Sequence, residues 1–154
     1  MEKLVDSKCY DDLESFKEKV IDEMARLVII DDESSICYIL SEYFTLLGFE
    51  VKTYKSGEAG LKELQNTRPP DLIIMDLLMP GMTGKELAIK LKKNPRTSHI
   101  PILLMTASIP NREVMPPEET FEHFISKPFQ LEDLYSAVTQ LLDKTEEVKD
   151  RYCS

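Results

Sequence analysis

The sequence predicts an α/β fold in which helices cover both faces of a five-stranded parallel sheet. Short apolar runs alternate with amphipathic stretches from residue 26 to about residue 144, the pattern of buried strands connected by helices. The ends of these runs also recur at a constant interval, since Asp32, Tyr54 and Asp76 are spaced 22 residues apart. One strand and one crossover helix fill such an interval, so the two observations together indicate five strand–helix units.

The first half of this pattern contains three predicted strands and two predicted helices. The strands are the apolar runs at residues 27–30, 49–54 and 72–75. The helices, at residues 34–47 and 56–65, carry apolar residues at helical spacing. In the first helix Ser34 is the expected N-cap. Its predicted buried face consists of Ile36, Ile39, Leu40, Tyr43 and Leu47.

The second half continues with a third helix, two more strands and a last helix. Thr83-Gly84-Lys85-Glu86 has the spacing of a capping box and predicts the start of the third helix, which Asn94-Pro95 ends. The apolar runs at residues 102–105 and 124–126 predict the fourth and fifth strands. Apolar residues at helical spacing after Pro128 predict the last helix.

Composition excludes several classes of protein. The 154-residue chain has a formal net charge of −9, and its Lys and Arg residues form no basic stripe, so we expect no direct binding of nucleic acid. No apolar run approaches the roughly 20 residues that span a membrane, and the first residues lack a secretory signal. We therefore expect a cytoplasmic chain without a membrane partner. Three cysteines without Cys-x-x-Cys spacing predict neither a disulfide framework nor a zinc site.

Two segments flank the predicted domain at residues 26–144. In residues 1–25, Leu13, Phe16, Val20 and Met24 recur at helical spacing between charged residues, which predicts a helical extension. Such a helix would serve as a surface for homodimer formation or as a linker, and a frayed extension before a start near Met24 is the alternative. Residues 145–154 are predicted to form a short polar tail.

Right-handed crossovers bring the carboxyl ends of all the parallel strands to one edge of the sheet. There the sequence places Asp31, Asp32, Asp76, Thr106 and Lys127. Each alone has an ordinary explanation, as acidic residues commonly favour helix starts. Three neighbouring carboxylates, however, repel one another unless a cation neutralises them, and oxygen ligands suit Mg²⁺. A carboxylate can also attack phosphorus, and a fixed ammonium and a hydroxyl would then stabilise the transferred group.

Four ordered motifs resemble the receiver domain of two-component response regulators, in particular the single-domain kind similar to chemotaxis regulators. The motifs are Ile29-Ile30-Asp31-Asp32-Glu33, Asp76-x-x-Met79-Pro80-Gly81-Met82-x-Gly84, Pro101-Ile102-x-x-x-Thr106-Ala107 and Ser126-Lys127-Pro128-Phe129. The resemblance covers residues 26–144. It implies a doubly wound sheet with the flavodoxin-like strand order 2-1-3-4-5.

The resemblance also implies roles for the residues at the sheet edge. Asp76 would accept a phosphoryl group from a phosphohistidine on a histidine kinase or a phosphotransfer protein, and Lys127 would contact that group. The cofactor would be Mg²⁺, bound by Asp32, Asp76 and the backbone carbonyl of Leu78. Asp31 would act on the ion mainly through water.

Thr106 and Phe124 match the positions of the family's conformational switch. Negative charge added to Asp76 would give the Thr106 hydroxyl a new acceptor, and the Phe124 ring would turn into the space that the moving loop leaves. A core role for Phe124 is the alternative. The two arrangements need differ by only a few kcal/mol for a modification to shift their populations. The downstream partner is not identified by the sequence.

The sequence departs from the family between the fourth and fifth strands. The fourth helix of the fold should lie there, but Pro116 and Pro117 each remove a backbone donor, and a proline inside a helix costs roughly 3 kcal/mol. We expect this helix to be irregular, shortened or displaced. Because this face carries partner contacts in the family, their transfer to this chain is in question.

A second departure concerns the lifetime of the phosphorylated state. Leu78 is apolar and Ser108 is small, so neither residue suits the positioning of an attacking water. We expect slow self-dephosphorylation and hence a long-lived phosphorylated form.

Alternative functions remain open at this point. A haloacid-dehalogenase-like phosphatase would use Asp76 as a nucleophile, but it needs a second aspartate where Leu78 stands. A receiver-like interaction module that no longer accepts phosphate is a second alternative, which the complete set of site residues disfavours. A receiver segment of a larger hybrid kinase is a third. In the favoured interpretation the chain is not an enzyme with turnover.

Overall fold

A computed structural model of the chain describes residues 24–107 and 111–152, and the backbone alone for the last two of these. Most of the extension predicted at residues 1–25 therefore lies outside the described residues, together with Ser108 and the end of the predicted tail at residues 153–154. The possible homodimer surface and the expectation that Ser108 does not position an attacking water stay predictions.

The described residues form the predicted five-stranded sheet. Its strands are β1 (Arg26–Ile30), β2 (Glu50–Tyr54), β3 (Leu72–Asp76), β4 (Ile102–Thr106) and β5 (His123–Ser126). All neighbouring strands pair in parallel, and their order is β2-β1-β3-β4-β5. The expected flavodoxin-like order is thus confirmed.

Helices lie on both faces of this sheet. They are α1 (Ser34–Leu46), α2 (Gly57–Asn66), α3 (Gly84–Lys93) and α4 (Leu131–Tyr152). Leu64 of α2 and Leu87 and Leu91 of α3 pack in one apolar cluster, whereas Phe44 of α1 and Val138 of α4 pack in the other. Each β3 residue is buried, as expected for a strand covered on both sides.

One predicted detail of α1 is wrong, and another is correct only in part. Glu33, not Ser34, occupies the N-cap position, and its side chain makes no capping bond. The Glu33 N–H donates instead to Asp31 Oδ1 at 2.9 Å, so the end of β1 fixes where the helix begins. The buried residues of α1 are Cys37, Leu40 and Phe44, and the partly buried Ile36 and Tyr43 pack against the same cluster, so the predicted face is correct in part. Of that predicted face, Ile39 and Leu47 remain 48% and 45% exposed.

The capping box of α3 is confirmed. The Glu86 N–H donates to the Thr83 hydroxyl at 3.2 Å, and the Thr83 N–H donates to Glu86 Oε2 at 2.9 Å. These bonds satisfy two backbone donors that a helix start leaves without partners. They also fix the end of the loop between β3 and α3.

The connection between β4 and β5 has a 3₁₀-helix at Glu118–Thr120 in place of the fourth helix of the fold, within its described residues. Pro117 precedes this turn and accepts the Thr120 N–H at 2.9 Å through its carbonyl. Since proline lacks an N–H group, the pair Pro116-Pro117 ends any regular helix before this point. The expectation of a shortened, irregular helix is confirmed.

Helix α4 continues to Tyr152, beyond Lys144, the predicted end of the domain. No glycine or proline follows Pro128, so the chain contains no strong helix stop in this region. Lys149 Nζ lies 3.9 Å from a carboxylate oxygen of Asp71, the residue that precedes β3. Most of the predicted polar tail is therefore an extension of α4. None of the helices in the described part of the chain combines the length and apolar character that crossing a membrane requires.

Gly84 provides a test of how tightly α3 packs against the end of β3. A Cβ atom at this position would lie 2.5 Å from the Asp76 carbonyl oxygen and 2.8 Å from Leu77 Cα. Gly84→Ala should therefore lower the free energy of unfolding by about 1–3 kcal/mol, the usual cost of overpacking. Helix propensity alone predicts a gain from this substitution, so an unchanged or higher urea midpoint would contradict the packing argument.

Candidate functional site

The register of the sheet brings the predicted acidic residues together. Ile30 of β1 pairs with Met75 of β3, so Asp31 and Asp32 follow β1 beside Asp76 at the end of β3. Asp31, Asp32 and Asp76 each offer a carboxylate oxygen, and these oxygens lie within 4.8 Å of one another. The structure thus forms one cluster from residues that are far apart in the sequence.

Asp31 is the most deeply buried member of this cluster. Its side chain is fully buried. Its Oδ2 lies 2.9 Å from Lys127 Nζ, and its Oδ1 accepts the Glu33 N–H at 2.9 Å. Because both oxygens already have partners, Asp31 is better suited to indirect contact with a cation than to direct ligation. Cys37 lies beneath the cluster, where its thiol donates to the Asp31 carbonyl at 3.3 Å.

Asp76 is nearly buried, with 6% of its surface exposed. Burial raises the pKa of its carboxyl group to about 6, the nearby Lys127 ammonium opposes this shift, and the charge of Asp31 adds to it. A carboxylate whose charge is so poorly solvated gains stability from any cation placed beside it.

Lys127 is the cation that faces these carboxylates. Its Nζ lies 2.9 Å from Asp31, 3.6 Å from Asp76 and 3.8 Å from Glu33. Burial alone lowers the pKa of the ammonium, but the hydrogen bond to Asp31 and the charges of Asp76, Asp31 and Glu33 outweigh that effect and raise the pKa. Lys127 therefore stays charged at neutral pH.

The charges of the cluster do not balance. Asp31, Asp32, Asp76 and Glu33 supply up to four negative charges, and Lys127 supplies one positive charge. Among the described residues, Asp31, Asp32 and Asp76 form the group of side chains with the spacing to hold a metal ion. Their hard oxygen ligands suit Mg²⁺ or Ca²⁺. The donor set therefore fits the expected divalent cation.

Thr106 and Phe124 lie on the strands that continue this edge. Thr106, the last residue of β4, is buried, pairs with Ser126 of β5 and accepts the Lys127 N–H at 2.7 Å through its carbonyl. The residue before it, Met105, pairs with Asp76. Phe124 lies further down β5, with 41% of its surface exposed, and its ring contacts Phe121 at 6.5 Å between centroids. Phe124 is thus beside the site and outside the carboxylate cluster.

Leu78 lies on the loop that follows β3. Its side chain is 47% exposed, whereas those of its neighbours Leu77 and Met79 are buried. Leu78 is the second residue after Asp76, and the role of its carbonyl as a metal ligand stays a prediction.

Sequence reasoning did not assign a role to Glu33. Its carboxylate is the third to approach Lys127, and its N–H orients Asp31. The sequence does place Glu33 directly after Asp31 and Asp32. Helix starts are often acidic, however, so this position does not distinguish a residue of the site from an ordinary helix start.

The chain is similar in sequence to known proteins. The family profile described as "Response regulator receiver domain" matches residues 27–139. The phosphate regulon transcriptional regulatory protein PhoB of Rhizobium meliloti is 31% identical over 120 residues, which cover 77% of this chain and 52% of that protein. The chain spans about half the length of the first curated relatives it matches.

Solved structures show the same likeness. The chemotaxis response regulator CheY4 of Vibrio cholerae is 28% identical with a TM-score of 0.70, and the match covers 77% of this chain and 98% of that one. The response regulator TrrA of Thermotoga maritima, solved in complex with Mg²⁺–BeF, is 30% identical with a TM-score of 0.67, over 77% of this chain and 99% of that one.

The raised pKa of Asp76 gives a prediction for stability. Its pKa is about 6 in the folded chain against 3.8 for an ordinary aspartate, so the charged carboxylate destabilises the fold above pH 6 and this cost disappears as the pH falls towards 4. Asp76→Asn should raise the free energy of unfolding by on the order of 2 kcal/mol at neutral pH in EDTA. Urea denaturation followed by circular dichroism measures this gain, which should shrink on acidification.

The matched control is Asp143→Asn, which alters an exposed carboxylate on α4 and should leave the free energy of unfolding unchanged at each pH. A variant Asp76→Asn that is less stable than the wild type at neutral pH would show that the buried charge does not destabilise the fold.

Proposed function

Because the chain belongs to the response regulator receiver domain family, we propose that it is a phosphoacceptor switch of a two-component phosphorelay. In this proposal Asp76 accepts a phosphoryl group from a phosphohistidine on a histidine kinase or a phosphotransfer protein. The observation that carries the proposal is the convergence of Asp31, Asp32, Asp76 and Lys127 at one edge of the sheet. Transfer changes the charge at Asp76, and the chain relays that change as a shift in conformation.

The chemistry follows from the position of each group. An oxygen of the Asp76 carboxylate attacks phosphorus, a P–O bond forms, and the P–N bond to the donor imidazole breaks with its electron pair going to nitrogen. Lys127 already lies 3.6 Å from an Asp76 oxygen, where its ammonium can stabilise charge on the phosphoryl oxygens. Such reactions depend mainly on alignment and charge neutralisation.

Mg²⁺ is the proposed cofactor, held by Asp32, Asp76 and the Leu78 carbonyl, with Asp31 acting through water. The acidic spacing and the two occupied oxygens of Asp31 support this assignment. The complex of TrrA with Mg²⁺–BeF supports it by similarity. When bound, the ion supplies the positive charge that the transferred group needs.

The proposed switch involves Thr106 and Phe124. A phosphoryl group on Asp76 would offer an acceptor to the Thr106 hydroxyl at the end of the neighbouring strand. Phe124 has 41% of its surface exposed, so an inward turn of its ring would bury apolar area and favour the second state. That change would present a different surface to a downstream protein.

Several parts of the proposal concern the whole protein. We expect no enzymatic turnover beyond self-phosphorylation and slow self-dephosphorylation, a cytoplasmic location, and no direct contact with nucleic acid or membrane. The alternative of a receiver segment of a longer kinase would use the same site, and a receiver domain of a histidine kinase from Syntrophus aciditrophicus has a similar structure.

The central test is transfer of a phosphoryl group to Asp76. Incubation with Mg²⁺ and acetyl phosphate should add the mass of one phosphoryl group to the wild type and to Asp143→Asn, measured by intact mass spectrometry. Asp76→Asn should add none, because an amide is a poor nucleophile. An unmodified wild type, or equal modification of Asp76→Asn, would refute the proposed function. An unmodified wild type would favour an interaction module that does not respond to phosphate.

The lifetime of the phosphorylated form is a separate prediction. Leu78 is apolar, half exposed and two residues after Asp76, so Leu78→Asn would introduce an amide able to orient a water. We expect dephosphorylation to be about fivefold faster, the rate equivalent of about one hydrogen bond, measured by mass after removal of the donor. Leu78→Met is the apolar control and should behave as the wild type does. Fast loss from the wild type that Leu78→Asn does not change would contradict the expectation of a long-lived state.

A further inference from the structure

The first turn of α2 holds the loop that follows β3. We refer to residues 77–83, which lie between β3 and α3, as the β3–α3 loop. Glu58 of α2 accepts the Met82 N–H at 2.8 Å through its Oε1. The bond joins positions 24 residues apart, so it connects two separate parts of the fold at the edge that carries the site.

Two glycines allow this close approach. A Cβ atom at Gly57 would lie 2.9 Å from the Met82 carbonyl oxygen, so α2 contacts both the N–H and the carbonyl side of Met82. Gly81 has a φ of 76°, and a Cβ atom there would lie 2.7 Å from Glu58 Oε1. The left-handed conformation suits glycine, and the missing side chain leaves room for the Glu58 carboxylate. Both glycines thus fit the contact between Glu58 and Met82.

The other end of the β3–α3 loop is held differently. The Gly84 N–H donates to the Leu77 carbonyl at 2.9 Å, which closes the base of the loop. Leu77 and Met79 bury their side chains in the core. Leu78 therefore lies in a segment fixed by burial on one side and by Glu58 on the other.

We propose that Glu58 is a positioning residue for the phosphoacceptor site. Glu58 is not one of the three clustered carboxylates, and it acts by holding the backbone of the loop that carries the Leu78 carbonyl. This inference rests on the proposed function, because it assumes that the loop contributes to Mg²⁺ binding. A loop that is already ordered loses less conformational entropy when an ion binds.

The test compares Mg²⁺ affinity among four chains: wild type, Glu58→Ala, Glu58→Gln and Glu42→Ala. Titration with MgCl₂, followed by NMR of the backbone amides, gives each dissociation constant. Glu58→Ala should bind Mg²⁺ about fivefold more weakly, the equivalent of one hydrogen bond. Glu58→Gln keeps an oxygen that can accept the Met82 N–H, and it should keep an affinity near that of the wild type. Glu42→Ala removes an exposed carboxylate on α1 and should also match the wild type.

Two further measurements separate positioning from a general loss of structure. Exchange of the Met82 amide hydrogen without Mg²⁺ should be faster in Glu58→Ala alone, and a urea midpoint in EDTA close to that of the wild type would show that the fold is intact. Equal Mg²⁺ affinity of Glu58→Ala and wild type would overturn the inference and leave the proposed function standing. Equal weakening in Glu58→Ala and Glu58→Gln would also overturn it, because charge would then be the cause. A wild type that does not bind Mg²⁺ would refute both.

Discussion

The pairing of Lys127 with the buried carboxylate of Asp31 is the interaction on which the site depends. Its 2.9 Å contact joins the end of β5 to the end of β1, across 96 positions of sequence. The same ammonium reaches Asp76 at 3.6 Å, so one positive charge stabilises two carboxylates that would otherwise repel each other. Partial compensation of this kind keeps the fold intact while leaving Asp76 able to gain from additional positive charge.

This imbalance links stability to function. An Asp76 carboxylate with a pKa of about 6 is destabilised in its charged form, and a divalent cation beside it removes part of that cost. The surrounding backbone is tightly packed. β3 is buried along its whole length, and Gly84 packs against the Asp76 carbonyl with no room for a side chain. The proposed switch would therefore change the charge at Asp76 within closely packed backbone.

Much of the site could be predicted because its residues follow strands. Asp31, Asp32, Asp76, Thr106 and Lys127 each lie directly after or at the end of an apolar run, and parallel strands bring such ends together. Glu33 and Glu58 escaped assignment for a physical reason. Both lie in the first turns of helices or just before them, where acidic residues are common for reasons of the helix dipole. Their roles come from contacts with Lys127 and Met82, which no local pattern encodes.

Local patterns in the sequence were enough to predict the succession of strands and helices along the chain, the capping box at Thr83 and the interruption at Pro116-Pro117, because periodicity, capping and proline sterics act between near neighbours in the chain. The buried face of α1 could not be read from such patterns in full, since that helix is apolar on several sides and its rotation depends on packing against the sheet. The same holds for the partners of the two Asp31 oxygens and for the contact between Glu58 and the β3–α3 loop. Those distances join residues far apart in sequence, and they exist only once the strands have paired.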